Sequence, residues 1–458
     1  MTSLSGPSSP TDEQTATDVA DDADQVAAAS TAPVATGLVG YTRGYIQRVR
    51  GGEMGSLPAA TGLVILIILF SFLQKTFAGL YNFGNLLTEG AGPILLAMGL
   101  VFVLLLAEID LSAGYAAGVC AAVMVRLTSG YGVGWPISIG AALLTGIIIG
   151  FVIGWLRAKV RIPSFVVTLA FFLAFQGVML YIVNNGKGQH GDIGMTDKVA
   201  LAFENSQMPV WMGWAFGIVF VGGYAVAKML SRMSRLRQSL AAEPITVIAV
   251  KICALGLGIL LAVYALNKNR ALHTKPVLTN VNGKLEFVKP QAVQGVPWVV
   301  LVIAGFFVLW TFILSRTRYG RHLYAVGGNE EAARRAGINV DRIRISVFVL
   351  CSGMAAVGGI MIGSNVSSVS VANYGGNTLL LAVGAAVIGG TSLFGGKGRM
   401  IDALVGGAVV EVIQNGMSDL VKGTNSSAVQ YIITGLVLML AAAVDALSRR
   451  RAGASGLG

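Results

Sequence analysis

Long apolar stretches without charged residues alternate with short polar connections along most of the 458-residue chain. The stretches from Leu57 to Leu73 and from Gly132 to Leu156, for example, hold no charged side chain and are long enough to cross the roughly 30 Å core of a bilayer. The pattern predicts an all-α fold, a polytopic membrane bundle of about twelve transmembrane helices. The twelve stretches begin near Leu57, Gly92, Gly114, Gly134, Phe165, Pro209, Pro244, Pro297, Ser346, Leu379, Ile401 and Ala428.

Proline positions agree with these helix starts. A helix accepts proline in its first turn, where the missing N–H group has no partner inside the helix. Of the twelve prolines, five lie in the amino-terminal tail or in the loop after the seventh stretch. The other seven lie at or just before a predicted start, namely Pro58, Pro93, Pro136, Pro163, Pro209, Pro244 and Pro297.

The basic residues predict the orientation of the bundle. If both termini lie in the cytoplasm, about two-thirds of the 33 Lys and Arg residues fall in cytoplasmic connections, the bias typical of multi-pass membrane proteins. An even number of helices also brings the triple arginine at 449–451 to the cytoplasmic side. The connection from Asn267 to Gln294 is then external. We expect a multi-pass protein of the cytoplasmic membrane with both termini inside.

Composition excludes a single soluble domain and suggests three regions. Hydrophobic residues make up 54% of the chain and charged residues only 12%, half of the usual quarter in soluble domains. The net charge of +11 does not predict nucleic-acid binding, because the basic residues lie at the ends of apolar stretches. We expect a disordered acidic cytoplasmic tail with a basic juxtamembrane segment over 1–50. A transmembrane domain over 51–447 and a basic cytoplasmic tail over 448–458 follow.

The sequence has no recognisable catalytic motif. Its nearest approach to an ATP-binding P-loop is Gly395-Gly396-Lys397, but Thr391 stands where the motif needs glycine and Gly398 where it needs Ser or Thr. The three histidines are far apart, and the three cysteines follow no metal-ligand spacing. We therefore predict a transport component without a catalytic site, a metal or a cofactor of its own.

Polar side chains inside apolar stretches are costly and mark candidate transport pathways. The candidates are Asp110, Ser112, Gln176, Glu411, Gln414 and Asn415. Glu411, Gln414 and Asn415 are spaced three and four apart, so they share one face of a helix. Hydrogen bonds between helices, each worth about 1 kcal/mol or less, are the alternative role for all of them. Asp110, beside Ser112, is also placed to cap a broken helix.

The longest predicted cytoplasmic connection between helices contains a short helix with both ends specified. An asparagine stands at its start, two glutamates follow at the positive end of the helix dipole, two arginines lie at the negative end, and a glycine closes it. Its alanines form a small-residue face suited to docking on a partner, although a capped connector would look the same. The residues of this predicted docking element are Asn329, Glu330, Glu331, Ala332, Ala333, Arg334, Arg335, Ala336 and Gly337.

Three segments resemble a known family. They are Tyr324-Ala-Val-Gly-Gly-Asn-Glu-Glu-Ala-Ala-Arg-Arg-Ala-Gly-Ile338, Ala107-Glu-Ile-Asp-Leu-Ser-Ala-Gly114, and Gly389-Gly-Thr-Ser-Leu-Phe-Gly-Gly-Lys-Gly398 followed by Gln414-Asn-Gly416. They resemble, in the same order, the signatures of permeases from bacterial ATP-driven (ABC) importers of the ribose, xylose and galactose type. Ala107 departs from the glycine expected there.

The resemblance implies partner proteins that the hydropathy pattern does not predict. Two permease copies form the pore, two cytoplasmic ATPase subunits bind and hydrolyse ATP at its inner face, and an external sugar-binding protein delivers the monosaccharide. The family core has about ten membrane helices, and the additional apolar sequence here, between about Met229 and Val300, resembles the xylose-type branch. D-xylose is thus the expected substrate.

Three alternatives remain open from the sequence, the weakest being a purely structural membrane protein. One is an ABC permease for another sugar, such as ribose, galactose or several monosaccharides. Another is an ion-coupled secondary sugar transporter in which Glu411 or Asp110 carries the ion.

Overall fold

The computed structural model describes residues 55–185, 191–240, 242–271, 277–281, 284–288 and 292–420, and short helical pieces between 428 and 443. The predicted tails at 1–50 and 448–458 lie outside the described residues. The helices of the first half are α1 Leu57–Leu73, α2 Leu80–Glu89, α3 Ala91–Leu105, α4 Ala113–Val125, α5 Trp135–Trp155, α6 Ser164–Asn184, α7 Lys198–Asn205 and α8 Val210–Arg237. Those of the second half are α9 Ile245–Asn267, α10 Trp298–Arg316, α11 Arg318–Gly328, α12 Glu330–Arg335, α13 Val340–Val366, α14 Gly376–Gly389 and α15 Met400–Leu420.

Within the described residues, nine helical segments are long and apolar enough to cross a membrane. They match nine of the twelve predicted stretches and confirm the all-α polytopic membrane bundle. Two further stretches form shorter helices, α1 with 17 residues and α4 with 13. The stretch near Ala428 falls in the partly described segment. The count of twelve and the orientation stay predictions.

The prolines open helices as predicted. Pro58 and Pro136 occupy the first turns of α1 and α5, and Pro163 and Pro297 precede α6 and α10. Helix α13 begins six residues before the predicted start at Ser346. The apolar pattern missed its first turn because that turn is charged. Asn339 caps that turn by accepting a 3.0 Å hydrogen bond from the amide of Arg342.

Among the nine membrane-length segments of the described residues, those that contain α3, α13 and α15 are the most buried, with 61–72% of their apolar stretches inside the protein. The shorter α4 is also buried almost throughout. Helix α13 packs against α3, α4 and α5. Gly146 and Gly154 of α5 face the backbone of α13 so closely that a Cβ atom would lie 2.6 Å from the Ser352 oxygen and 2.8 Å from the Ile345 Cα. Gly150, four residues from each of them, also faces the α13 backbone, so small residues four apart bring these two helices together. By contrast, only 28% of the apolar stretch of α6 and 17% of that of α10 are buried. These two helices turn apolar side chains outward, as lipid-facing helices do.

Residues 221–256, the end of α8 and the start of α9, form a unit of their own. Within it Lys251 pairs with Glu243 at 3.0 Å, and Arg232 hydrogen-bonds to the Glu243 carbonyl. Lys251 thus has a structural partner in the connection before its own helix.

Short antiparallel strands lie in the connections. Strand β1 (Asp192–Gly194) pairs with β4 (Ser368–Ser370), and β2 (Val277–Val281) pairs with β3 (Lys284–Val288) in the connection predicted to be external. Arg270 fastens the ends of that connection, because its Nη2 donates 2.9 Å and 2.8 Å hydrogen bonds to the Gln207 side chain and the Gly295 carbonyl.

Candidate coupling and translocation sites

The predicted docking helix is present as α12. The Asn329 side chain accepts a 2.9 Å hydrogen bond from the Ala332 amide, and Gly337 closes the element with φ +82°. Two ion pairs four residues apart, Glu330 with Arg334 at 3.0 Å and Glu331 with Arg335 at 2.6 Å, run along it. A helix of six residues is too short to be stable alone in water. Contacts with the rest of the protein must therefore hold it.

The alanine face is only partly as predicted. Ala333 is 4% exposed and packs into the protein's own core, whereas Ala332 and Ala336 are exposed. The three alanines do not form one free docking face. Ala333 lies about 100° around the helix from Ala332, so it turns toward the bundle while Ala332 and Ala336 face outward.

A chain of charged side chains joins α12 to three other helices. The Glu330 carboxylate accepts a 2.8 Å hydrogen bond from Nη2 of Arg344 in α13. Nε of the same arginine forms an ion pair with Glu108, just after α3, at 2.9 Å. Glu108 in turn accepts hydrogen bonds from Nε of Arg157, after α5, at 2.9 Å to both carboxylate oxygens. The ends of α3, α5, α12 and α13 are thus linked by the Glu330–Arg344–Glu108–Arg157 ion chain.

The centre of this ion chain is shielded from solvent, whereas Glu330 and Arg157 at its two ends are partly exposed. The side chains of Glu108 and Arg344 are 5% and 9% exposed. Burial raises the pKa of Glu330, but the hydrogen bonds and charges of Arg344 and then Arg334 outweigh burial and hold that pKa below its usual value. Glu330 is therefore charged at neutral pH, and the ion chain is intact there.

The three family-like segments meet beside the ion chain. The amide of Gly396 donates a 2.9 Å hydrogen bond to the Leu105 carbonyl, and the Tyr324 hydroxyl donates one of 2.7 Å to the Gly398 carbonyl. A Cβ atom on Gly327 would overlap the same Leu105 carbonyl oxygen. Segments near residues 107, 327 and 396 therefore build one structural unit at one end of the bundle, which hydropathy alone did not reveal.

Asp110 and Ser112 have a local partner in each other. Oδ1 of Asp110 accepts hydrogen bonds from the Ser112 amide at 3.0 Å and from its hydroxyl at 2.6 Å. Both residues are buried, and Ser112 precedes the first residue of α4. This geometry agrees with the capping alternative and starts α4 after the break that follows α3.

The polar face of α15 meets a glutamate that the sequence analysis missed. The Asn415 amide donates a 3.4 Å hydrogen bond to Glu89 at the end of α2, and the Glu411 carboxyl also hydrogen-bonds to Glu89. Glu411 is buried, and Gln414 and Asn415 are half-buried. Gln176 lies apart from them, on α6, which packs mainly on α4, whereas α15 packs on α14, α1 and α3.

A cavity of about 140 Å³ lies next to this face. Its polar wall comes from four helices, and its apolar wall comes from α3 and α13. The polar lining residues are Thr88, Glu89, Glu204, Asn365 and Thr378. The apolar ones include Pro93, Met361, Ile362 and Val366. Glu204 is 2% exposed, and within the part of the chain that the structure describes neither of its carboxylate oxygens has a hydrogen-bond partner.

Comparison with known proteins gives the context of these sites. A family model described as branched-chain amino acid transport system / permease component matches residues 82–234 and 194–442. The xylose transport system permease protein XylH of Escherichia coli (strain K12) is 32% identical over 393 residues, 85% of this chain and 92% of that protein. The protein of the same name from Haemophilus influenzae is 30% identical over 85% of this chain and 96% of its own length. The ribose import permease protein RbsC of Escherichia coli (strain K12) is 29% identical over 84% of this chain and 91% of its own length. No solved structure matches.

Proposed function

Because the chain belongs to the permease family named for branched-chain amino acid transport, in the branch of the ATP-driven sugar permeases, we propose that it conducts a monosaccharide, D-xylose, across the cytoplasmic membrane. Support for xylose comes from the relatives named as xylose permeases, which are 30% and 32% identical to this chain. The ribose permease at 29% makes ribose the substrate to test beside it.

The observation that carries the proposal is the Glu330–Arg344–Glu108–Arg157 ion chain. We expect cytoplasmic ATPase subunits to bind around α12 and to hydrolyse the ATP, since this chain has no P-loop of its own. A push on α12 then acts on Glu330, and Arg344 passes the displacement to α13 and to the end of α3. The Arg344–Glu330 contact is a charge-assisted hydrogen bond of 2.8 Å, a kind of bond that is short and about twice as strong as a neutral one.

The remaining partners and the pathway complete the proposal. Two copies of the chain form the pore, and an external binding protein supplies the sugar. The polar face of α15 with Glu411, Gln414 and Asn415 lines the route. Asp110 and Ser112 shape the break before α4, and Gln176 is assigned a packing role on α6.

A charge reversal on α12 tests the coupling. Reconstituted with its ATPase and binding-protein partners, the permease is expected to take up radiolabelled D-xylose when ATP is supplied. E330K places a second cation beside Arg344 and should abolish uptake while membrane insertion is unchanged. E243K, the same change in another predicted cytoplasmic connection, should retain uptake. Full uptake by correctly inserted E330K would show that α12 does not couple ATP hydrolysis to transport.

The same preparation separates the proposal from an ion-coupled transporter. The permease alone in liposomes should not accumulate D-xylose or D-ribose under a proton or sodium gradient. Accumulation by the permease alone would replace the ATP-driven mechanism with a secondary one. Uptake of ribose but not xylose by the complete system would change the substrate and leave the class intact.

A further inference from the structure

The cavity beside Glu204 lies far from the ion chain at α12. Helix α13 contributes Arg344 near its start and Asn365 near its end, and these positions are about 30 Å apart at 1.5 Å per residue. In the predicted orientation the ion chain faces the cytoplasm, so the cavity lies at the external end of the bundle. A solute that enters from outside meets this end first.

Glu204 is held in place by its helix. Asp197 caps α7 by accepting 2.9 Å hydrogen bonds from the amides of Val199 and Ala200. Ser364 of α13 donates a 2.7 Å hydrogen bond to the Ala200 carbonyl, and its own carbonyl accepts one of 2.9 Å from Asn205. Helix α7 is therefore fixed to α13 on both sides of Glu204. These contacts hold the Glu204 carboxyl group in the wall of the cavity.

A buried carboxyl group without a partner is unfavourable. Leaving such a polar group unsatisfied costs its full desolvation penalty, and the cost is larger when the group is charged. Burial raises the pKa of Glu204 to about 9, so the group is neutral at pH 7. A neutral carboxyl group offers one O–H donor and an acceptor oxygen together. That combination matches a hydroxyl group, which also donates and accepts.

The rest of the cavity has the same character. Thr88, Thr378 and Asn365 supply hydroxyl and amide groups, and Met361 and Ile362 supply an apolar wall. No lysine, arginine or histidine occurs among the residues lining it in the described structure. The carboxylate of a free amino acid would find no cation there and would lie near Glu89. A neutral polyhydroxylated solute has no such penalty.

We propose that Glu204, with Asn365 and the threonines beside it, forms an external subsite that binds hydroxyl groups of the monosaccharide as it enters the permease. The volume of about 140 Å³ is below the roughly 300 Å³ of ordinary small-molecule sites, so the subsite holds one edge of a sugar and not the whole ring. The inference rests on the proposed function, because it assigns a residue to the solute which that function transports.

Binding and uptake are measured on the same variants. Purified permease is titrated with radiolabelled D-xylose in sodium or choline buffer, and the complete reconstituted system is assayed for ATP-driven uptake. E204L should weaken binding and slow uptake at least tenfold. E204Q should stay within threefold of the wild type, because an amide still donates and accepts. K198Q, an exposed change on the same helix, should leave both unchanged. N365L tests the cavity from α13 in case E204L does not fold.

The outcomes distinguish the two proposals. Wild-type binding and uptake by E204L and N365L would overturn the subsite while leaving the permease function standing. Sodium-dependent binding that E204Q loses as fully as E204L would make the cavity a cation site instead. Displacement of xylose by L-leucine but not by xylitol would assign it to amino acids. If the wild type binds D-xylose through Glu204 but ATP drives no uptake, the subsite stands and the proposed function fails.

Discussion

Nε of Arg344 lies 2.9 Å from Oε1 of Glu108, and this ion pair fastens the start of α13 to the end of α3. Both side chains are nearly inaccessible to solvent, and Arg344 also holds Glu330 of the docking helix. One arginine therefore joins the element expected to meet the ATPase to two of the most buried helices.

R344A should both destabilise and uncouple the permease. Removing one partner of a buried ion pair is strongly destabilising, and because Arg157 still contacts Glu108 we expect a loss of about 2–4 kcal/mol. Thermal unfolding in detergent measures the stability, and ATP-driven uptake of D-xylose measures coupling, which should fall at least tenfold. R335A is the matched control for the stability measurement alone, because Arg335 also lies on the docking helix. Its pair with Glu331 is exposed and contributes about 0–1 kcal/mol.

R344K separates charge from geometry. Lysine keeps the charge, but its single ammonium cannot reproduce the planar fork that contacts Glu108 and Glu330 together. We expect stability between those of wild type and R344A, with uptake closer to that of R344A. Wild-type uptake in R344K would show that charge alone, without the shared contact, is sufficient for coupling.

Loss of the docking-helix cap should weaken ATPase binding more than it weakens the fold. N329A removes the acceptor for the Ala332 amide and costs about 1 kcal/mol of helix stability. A six-residue helix has little stability to lose, so its frayed population should rise. Co-purification of the ATPase subunits is expected to decrease severalfold while the unfolding temperature of the permease barely changes. N329D and N329S, which also cap, should restore binding.

Two neighbouring glycines offer a matched test of the unit at the end of α3. A Cβ atom on Gly327 would collide with the Leu105 carbonyl, whereas one on Gly328 would meet nothing within 4 Å. Overpacking against backbone costs about 1–3 kcal/mol, so G327A should lower the unfolding temperature and reduce uptake. G328A should be neutral or slightly stabilising, since alanine favours helix. Equal effects of the two changes would contradict the close approach of α11 to α3.

The raised pKa of Glu204 predicts a pH-dependent stability. The folded protein keeps the proton up to about pH 9, whereas an unfolded chain releases it near pH 4.3. The folded state thus binds more protons between these values, so the free energy of unfolding falls as pH rises through that range. E204Q lacks this loss. Its unfolding temperature should exceed that of the wild type at pH 8 and equal it near pH 3, where Glu204 is protonated in both states of the wild type.

Local signals were readable from the sequence. The capping residue Asn329 and the closing Gly337 act within a few residues, so the bounds of α12 followed from residue types alone. Prolines likewise predicted where several of the long helices begin. The orientation of the alanines on α12 could not be predicted from residue types, because it depends on which side of the short helix contacts the core.

The contacts that form the candidate sites join distant positions. Glu108 meets Arg157, 49 residues away, and Arg344 much later in the chain, and nothing in local periodicity pairs them. Glu204 escaped notice because it lies in a polar connection, where a glutamate ordinarily faces water. Only the packing of α7 on α13 buries it.

Helix α13 runs without a break for 27 residues, from Val340 near the docking helix to Val366, which lines the cavity together with Asn365. At 1.5 Å per residue it is a rod of about 40 Å. If such a rod pivots at one end by about 5°, its other end sweeps about 3.5 Å, slightly more than the width of a water molecule. A stiff lever of this length would let a modest rotation at the ATPase side open or close the outer subsite without any rearrangement between them.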